Sequence, residues 1–516
     1  MKSTTTLVWF RKCLRLHDNA ALVEAVSSSY VVPLFVLDPT LYATPHRLRF
    51  LVESLEDLDR ELVRRKSQLF VVRGNPPKVL EAIFAREGPL GDLRVDRCLW
   101  EADPADPTSI DSAAAAIAST HGVEARAVPG GHTIWDLEAT LRVIGTGSVP
   151  TTMRAMERLA DKLGPPPAPL EAPAEIPPVP PNTRIVREVP AAPPGEGIVS
   201  GGETRGLLRL ADVLGRDGGK FAATFEKPKT RSTTVSTTLL SPYVSFGCVS
   251  ARRLYADLVV ALRPFGAETS KPPASLVGQL YFRELSYLHG LRVGSGFGTQ
   301  RESPVCVDVP WDDNPALLDA WERGKTGYPY VDACMRMLAS TGYLHHLARH
   351  SCACFLTRGD LWVSWEKGAA VFEKHLLDFD WAVNNFNWLW LAGTAPWSAP
   401  YFRVYSPTPD PRKSALNVDD ENGDFVRRYV PELEHFPAKH IYAPWKCPIA
   451  DQRKASCIIG KDYPKPVVDH AAVSKANIAR FKQAVDLDKR RRSPASSSAK
   501  TATTTNLQAN KKFKRA

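Results

Sequence analysis

The segment 343-YLHHLARHSCACFLTRGDLWVSW-365 places His345, His346 and His350 within six residues. His346 and His350 stand four apart, so on a helix they share a face. Histidines so spaced can bind a metal, work as an acid–base pair near neutral pH, or sit in a core with ordinary hydrogen bonds. A helical zinc site needs a third ligand and usually the HExxH arrangement. Leucine, alanine and arginine stand between these two instead, which argues against metal. His345 points to another face and reads as structural.

Three further clusters carry chemistry. In 236-STTLLSPYVSFGCVS-250, Ser236, Thr237, Thr238 and Ser241 precede a proline and an apolar helix. Hydroxyls and free N–H groups at a helix start suit phosphate oxygens, and simple capping explains them as well. In 279-QLYFRELSYLHG-290, Gln279 and Arg283 share a face of an aromatic helix, so the arginine needs an anionic partner. In 376-LLDFDWAVNNFNWLW-390, Asp378 and Asp380 lie among aromatics. Buried carboxylates there need hydrogen bonds or a cation. A metal-binding DxD is disfavoured, because the surroundings offer rings rather than oxygen ligands. Eight of the 12 tryptophans fall between positions 311 and 397. Indoles a few ångströms apart can pack a core or relay electrons to a buried redox cofactor, and sequence leaves both open.

These groups must be held by larger elements. Apolar β-rich runs at 6-TLVWF-10, 31-VVPLFVL-37 and 69-LFVV-72 alternate with helical stretches at 47–66 and 110–122. That alternation predicts an α/β domain with a parallel sheet covered on both faces over 1–135. A connector follows over 136–202, and from 164 it is dense in proline and glycine, as expected of a linker wrapped over the surface. Residues 203–485 read as an all-α domain, and 486–516 as a disordered basic tail.

Composition narrows the setting. The 516 residues contain no apolar run long enough to span a bilayer and no signal-peptide pattern at the start. Nine scattered cysteines without a CxxC point to a reducing compartment. The net charge is +10, and residues 489–516 hold nine basic side chains and no acid. The body is therefore nearly balanced. The tail reads as a solvating segment, a nuclear localisation signal or a nonspecific DNA arm.

Taken in order, 8-VWFRKCLRLHDNAAL-22, 236–250, 326-TGYPYVDACMRML-338, 344-LHHLARHSCACFLTRGDLWVSWEKG-368 and 427-RRYVPELEHFPAKHIYAPW-445 resemble the cryptochrome/photolyase family over nearly all of 1–485. The HHLARH string and 456-SCIIGKDYPKPVVDH-470 resemble its animal-type branch, which holds (6-4) photolyases and animal cryptochromes. The resemblance implies a Rossmann-like N-terminal domain and a helical domain that binds FAD. By motif position Thr237, Thr238, Leu239 and Ser241 would hold the pyrophosphate, with Gln279 and Arg283 beside it. Asp378, Phe379 and Asp380 would bracket the flavin and ribityl region, and Asn384 would face flavin N5. Arg349 would pair with Asp378. An electron chain would run Trp388, Trp365, Trp311, with Trp362 a fourth and more exposed member, three residues from Trp365 on one helix. An antenna chromophore, deazaflavin or folate, is also implied by the family, and nothing in 1–135 selects between them.

The implied activity is blue-light repair of (6-4) photoproducts in UV-damaged DNA. Excited FADH⁻ would inject an electron into a flipped-out lesion. Returning the hydroxyl also needs a proton, with His350 as the acid and His346 orienting it at the flavin edge. The alternative is a signalling cryptochrome acting on clock or transcription proteins, since that function is compatible with the same histidines. A nuclear location follows from the tail, with the cytoplasm as the other compartment; the expected state is a monomer without membrane contact. Three departures from the family pattern stand out. Segment 220–240 is short, Phe282 stands where tryptophan is common, and 384–407 is closer to bacterial photolyases near 400-PYFR-403.

Overall fold

The computed structural model describes residues 3–39, 44–103, 110–226, 237–410, 418 and 420–492. Five strands, β1 (Thr5–Phe10), β2 (Tyr30–Leu37), β3 (Phe70–Arg73), β4 (Arg97–Glu101) and β5 (Glu124–Val128), form a parallel sheet in the order β3-β2-β1-β4-β5. The register sets Leu7 beside Val32 and Cys98, and Leu34 beside Phe70. Strand alternation divides the side chains between two cores. Leu7, Trp9, Val32, Leu34, Phe70 and Trp100 face an outer core covered by helices Pro76–Phe84 and Ile110–Thr120. Val8, Phe10, Val31, Phe35 and Leu99 face the opposite way. Their core runs without interruption into the helical domain as far as Trp365 and Trp388. The sheet therefore supplies one wall of the body that holds the functional groups.

The first three strands and helix Pro45–Arg64 match the sequence reading; β4 and β5, five residues each, complete the sheet. Residues 164–202 contain no helix and pack along the surface as expected. They also guard a sheet edge. Val71 donates to the Val186 carbonyl and accepts from Glu188 N–H, which caps the otherwise open edge of β3.

Among the described residues from Glu203 onward, the regular elements are helices, joined by loops with isolated bridges. Two expectations need correction. The stretch 343–365 is not one helix: helix His346–Cys354 passes into a wider turn at Phe355–Gly359, and a new helix starts at Trp365. Ser364 caps that new helix, and Trp362 lies outside it with φ +55. The basic stretch is also not disordered from 486. Helix His470–Arg492 is continuous, and Arg491 pairs with Asp308 at 2.9 Å while Arg492 donates to the Cys306 carbonyl at 2.7 Å. Basic residues in a last helical turn also offset its unpaired carbonyls. The remaining tail, 493–516, lies outside the described residues, as do Ser236 and the segment 227–236 before Thr237.

Candidate functional site

Three helices converge on one recess. Helix Leu276–Val293 presents Gln279, Phe282 and Arg283; helix His346–Cys354 presents His346, Arg349 and His350; helix Trp381–Ala392 presents Asn384, Asn387, Trp388 and Trp390. The recess comprises adjoining cavities of about 290, 230 and 120 Å³. Arg349, Asp378 and Val383 line all three. Thr237, Thr238, Leu239 and Ser241 border the largest, and Phe379, Asp380 and Asn384 the smallest. Every cofactor-contact residue expected from sequence thus meets in one place.

The two carboxylates have found cations. Arg349 Nη2 reaches Asp378 Oδ2 at 2.9 Å and Oδ1 at 3.1 Å, and its Nε donates to the Leu344 carbonyl at 2.8 Å. Ser241 Oγ donates to Asp378 Oδ2 at 2.8 Å, so this hydroxyl ties the loop to the carboxylate rather than capping its own helix. Arg283 Nη2 lies 3.4 Å from Asp380 Oδ2, which also accepts from Tyr287 OH at 2.5 Å. Asp380 Oδ1 accepts Val383 N–H at 3.0 Å and so caps helix Trp381–Ala392. Asn384 is pinned by its donation to the Ala369 carbonyl at 3.2 Å.

Burial acts to lower the Arg283 pKa, but Tyr287 and Asp380 outweigh it and the net shift is upward. Burial holds the Tyr287 phenol well above its ordinary value. Glu284, one residue along, is pushed by burial to about 7 while accepting Ile134 N–H at 2.9 Å.

The histidines separate by role. His345 caps its helix, Nδ1 accepting Leu347 N–H at 3.2 Å, and burial followed by the Arg349 charge lowers its pKa to about 4. Both His346 and His350 line the recess, His346 exposed there and His350 buried. Their rings meet edge to face, centroids 4.4 Å apart. Trp390 packs edge to face against His350 at 5.8 Å.

Of the four tryptophans expected to relay electrons, Trp388 lines the recess. Its ring lies over Gly368, where a Cβ would collide with it, one turn along the helix from Trp365. Trp311 and Trp362 pair with centroids 4.9 Å apart. Trp362 is 1% exposed, and Trp311 is the half-buried member. The expected order of exposure is reversed.

Sequence reading missed Tyr287, Tyr343 and Trp390. Tyr287 stands four residues after Arg283, so helical spacing could have found it. Tyr343, which shares a 2.9 Å hydrogen bond with Thr237 Oγ1, lies over a hundred residues away in the chain and leaves no local signal.

Comparison with known proteins decides the class. Residues 6–174 match the DNA photolyase family, and residues 276–483 match the FAD binding domain of DNA photolyase. The chain is 40% identical over 502 residues to Cryptochrome-1 of Sylvia borin, covering 92% of this chain and 77% of that one. Against Cryptochrome-1 of Mus musculus it is 39% identical over 500 residues, covering 92% and 79%. The chain belongs to the cryptochrome/photolyase family. Within it, the relatives place the chain in the animal-type branch, and it carries that family's FAD-binding domain.

Solved structures agree. A class III photolyase from Agrobacterium tumefaciens superposes with a TM-score of 0.76 at 26% identity, covering 94% of this chain and 98% of that one. A Synechocystis cryptochrome gives 0.79 at 25%, covering 92% and 99%. The donor set fits FAD. Hydroxyls, guanidinium groups and an amide line the recess together with the rings of Phe282 and Trp390, which stack on each other 5.7 Å apart.

Proposed function

We propose that the protein is a blue-light receptor of the cryptochrome type. The observation that carries this reading is a set of four indoles in the helical domain, Trp388 on the recess wall against Gly368, Trp365 buried one turn before that glycine, and the Trp311–Trp362 pair, and the 40% identity to Cryptochrome-1 supports it. Bound FAD supplies the light absorption and the one-electron chemistry. Thr237, Thr238, Leu239, Ser241 and Gln279 would hold its phosphate side, and Arg349, Asp378, Phe379, Asp380 and Asn384 its ring and ribityl side. Arg283 fixes Asp380, and the tryptophans deliver electrons to the recess. Basic residues 489–492 and the tail would direct the chain to the nucleus, where clock or transcription proteins are its partners.

A second reading, repair of (6-4) lesions in DNA, is favoured by one observation. His350 and His346 both line the recess, with His346 exposed there and set edge to face on buried His350, as an acid at 350 with a second imidazole to orient it would require. Illumination of flavin-loaded protein on an oligonucleotide with a single (6-4) lesion separates the two. Light-dependent loss of the lesion, abolished by His350→Ala with flavin retained, replaces the receptor reading by repair. An unchanged lesion, together with light-driven flavin bleaching that Trp388→Phe suppresses, supports the receptor. The absorption spectrum of the same preparation shows whether a deazaflavin or folate accompanies the flavin.

A further inference from the structure

We propose that the first turn of helix Pro45–Arg64 is a latch by which the α/β domain sets how firmly the recess keeps its flavin, with His46 and Arg47 as positioning residues. The inference rests on the recess as the flavin site and adds two residues from outside it.

Two recess-lining loops start side by side. One follows helix Pro329–Thr341 and carries Tyr343, Leu344, His345 and His346 to the largest cavity. The other follows helix Trp365–His375 and carries Leu376, Asp378, Phe379 and Asp380 to the smallest. Within the recess Arg349 joins them, through the Leu344 carbonyl and the Asp378 carboxylate. At their starts Leu377 N–H joins them by donating to the Gly342 carbonyl at 2.8 Å.

That last bond diverts a donor. In a continuing helix Leu377 N–H would serve the Glu373 carbonyl four residues back. The α/β domain supplies the replacement. Arg47 Nη1 donates to the Glu373 carbonyl at 2.8 Å, and His46 Nε2 donates to the His375 carbonyl at 2.6 Å. Both acceptors are among the final carbonyls that a helix leaves without internal donors, and a cation suits that negative end.

The same two side chains touch both loops. The buried His46 ring packs on Gly342, which takes φ +70 and where a Cβ would collide with the imidazole. The Arg47 guanidinium lies 5.7 Å from the ring centroid of Phe379, within range of a cation–aromatic contact. The Phe379 carbonyl is held separately, by Ser245 Oγ at 2.5 Å. The helical domain thus fixes the Phe379 backbone, and the α/β domain fixes its ring. Coupling of this kind is reciprocal: a latch that steadies the loops for flavin is itself steadied by bound flavin.

Two measurements on the full chain test the latch. In the first, the rate of flavin release from loaded protein is followed by the fluorescence of the freed flavin. Arg47→Ala is expected to quicken release by about fivefold, the factor that one ordinary hydrogen bond carries. His46→Phe, which keeps a ring against Gly342 and has no N–H, should quicken it by a similar factor. Arg47→Lys keeps a donor and a cation and should stay within about twofold of the wild type, the factor left by a few tenths of a kcal/mol. Arg64→Ala removes the same charge from the far end of the same helix and should leave release unchanged. Release indifferent to Arg47→Ala, or quickened equally by Arg64→Ala, overturns the proposal. In the second, hydrogen exchange is compared in the wild type with and without flavin. Loading should slow exchange in the peptide Thr44–Val52 and leave helix Pro76–Phe84, on the other side of the sheet, unchanged. Exchange at Thr44–Val52 that ignores flavin overturns the coupling even if Arg47→Ala fails to fold. A wild type that takes up no flavin removes the site assignment and the latch together; one that binds flavin without these responses removes the latch alone.

Discussion

The charges between the two domains and the charges in the recess are built differently. At the domain junction, Arg15 and Glu101 of the α/β domain meet at 2.5 Å with both side chains at 0% exposure, and Arg252 of the helical domain grips Asp18 at 2.6 and 3.1 Å. Arg15 also donates to the Gly247 carbonyl at 3.1 Å. Gly247 takes φ +71, and a Cβ there would collide with the Lys12 carbonyl, so the backbones of the two domains touch directly. In the recess, Arg349 keeps 22% exposure and Asp378 9%. One set of ions is spent wholly on joining sheet to helices. The other keeps a face turned to open volume, where a ligand's charges can enter. Burial and remaining open valence, rather than the presence of an ion pair, distinguish structural from functional charge here.

Breaking the buried Arg15–Glu101 pair at the domain junction should have the largest effect on stability. Arg15→Met strands the fully buried Glu101 carboxylate without its cation, at a cost of about 3–5 kcal/mol. Urea denaturation measures it, and replacing both partners by apolar residues should recover much of the loss. A cost below about 1 kcal/mol for the single change would contradict the contrast drawn above. In the recess the order of effects should invert. Asp378→Asn keeps the shape but leaves Arg349 without its carboxylate, for about 1–2 kcal/mol of stability. Flavin retention, read as the flavin-to-protein ratio after gel filtration, should fall by about tenfold, because the cation then has no fixed position. If Asp378→Asn unfolds the protein as readily as Arg15→Met, the recess is structural after all.

The same distinction explains what the sequence disclosed. The sheet was readable because strands buried on both faces are nearly continuous apolar runs, as in β2, 30-YVVPLFVL-37. The recess was readable because its residues arrive as local motifs with fixed spacing. His346 and His350 are a helical pair, and Asp378 and Asp380 share one turn. The ion pairs at the domain junction were invisible, since Arg15 and Glu101 are 86 positions apart and neither stretch advertises burial. The order of exposure of Trp311 and Trp362 was misread for a related reason. Trp362 and Trp365 have helical spacing, but the chain leaves the helix at Gly359 and re-enters only at Trp365. Exposure at Trp362 is then set by helix His470–Arg492, over a hundred residues later.

Glu284 sharpens the contrast, because it is a buried interdomain acid whose partners are backbone N–H groups rather than a carboxylate-matched cation. Burial raises its pKa from 4.5 to about 7. Its contribution to stability is therefore complete below pH 4.5 and is lost as pH rises through 7. Glu284→Gln keeps an acceptor for Ile134 N–H and has no charge to bury. The variant should match the wild type at pH 5 and exceed it at pH 8, by at most about 3 kcal/mol. Parallel pH profiles from thermal unfolding would refute this account of Glu284.

The smallest effect is expected where the C-terminal helix meets the turn below the histidine pair. His470 Nδ1 lies 2.6 Å from Asp360 Oδ1, and Asn477 donates to the Asp360 carbonyl at 3.2 Å. The groups facing His470 are Asp360, its neighbour Asp469, and Tyr328, whose hydroxyl accepts the His470 N–H at 3.2 Å. The hydrogen bond to Asp360 raises the His470 pKa above 6.5, outweighing its partial burial. Burial raises the Asp360 pKa despite that partner. Both shifts have the same sign: docking of the helix is strongest below pH 6.5 and weakens as pH rises through the folded value of His470. With His470 28% exposed, solvent screening limits the effect to about 1 kcal/mol or less. Hydrogen exchange at helix His470–Arg492, corrected for intrinsic rates, should quicken between pH 6 and pH 9 in the wild type and stay level in His470→Gln. Protection that is level in both would assign the docking of this helix to Asn477 and Phe481 packing alone. The pair at its first turn would then belong with the structural charges between the domains rather than with those that respond to conditions.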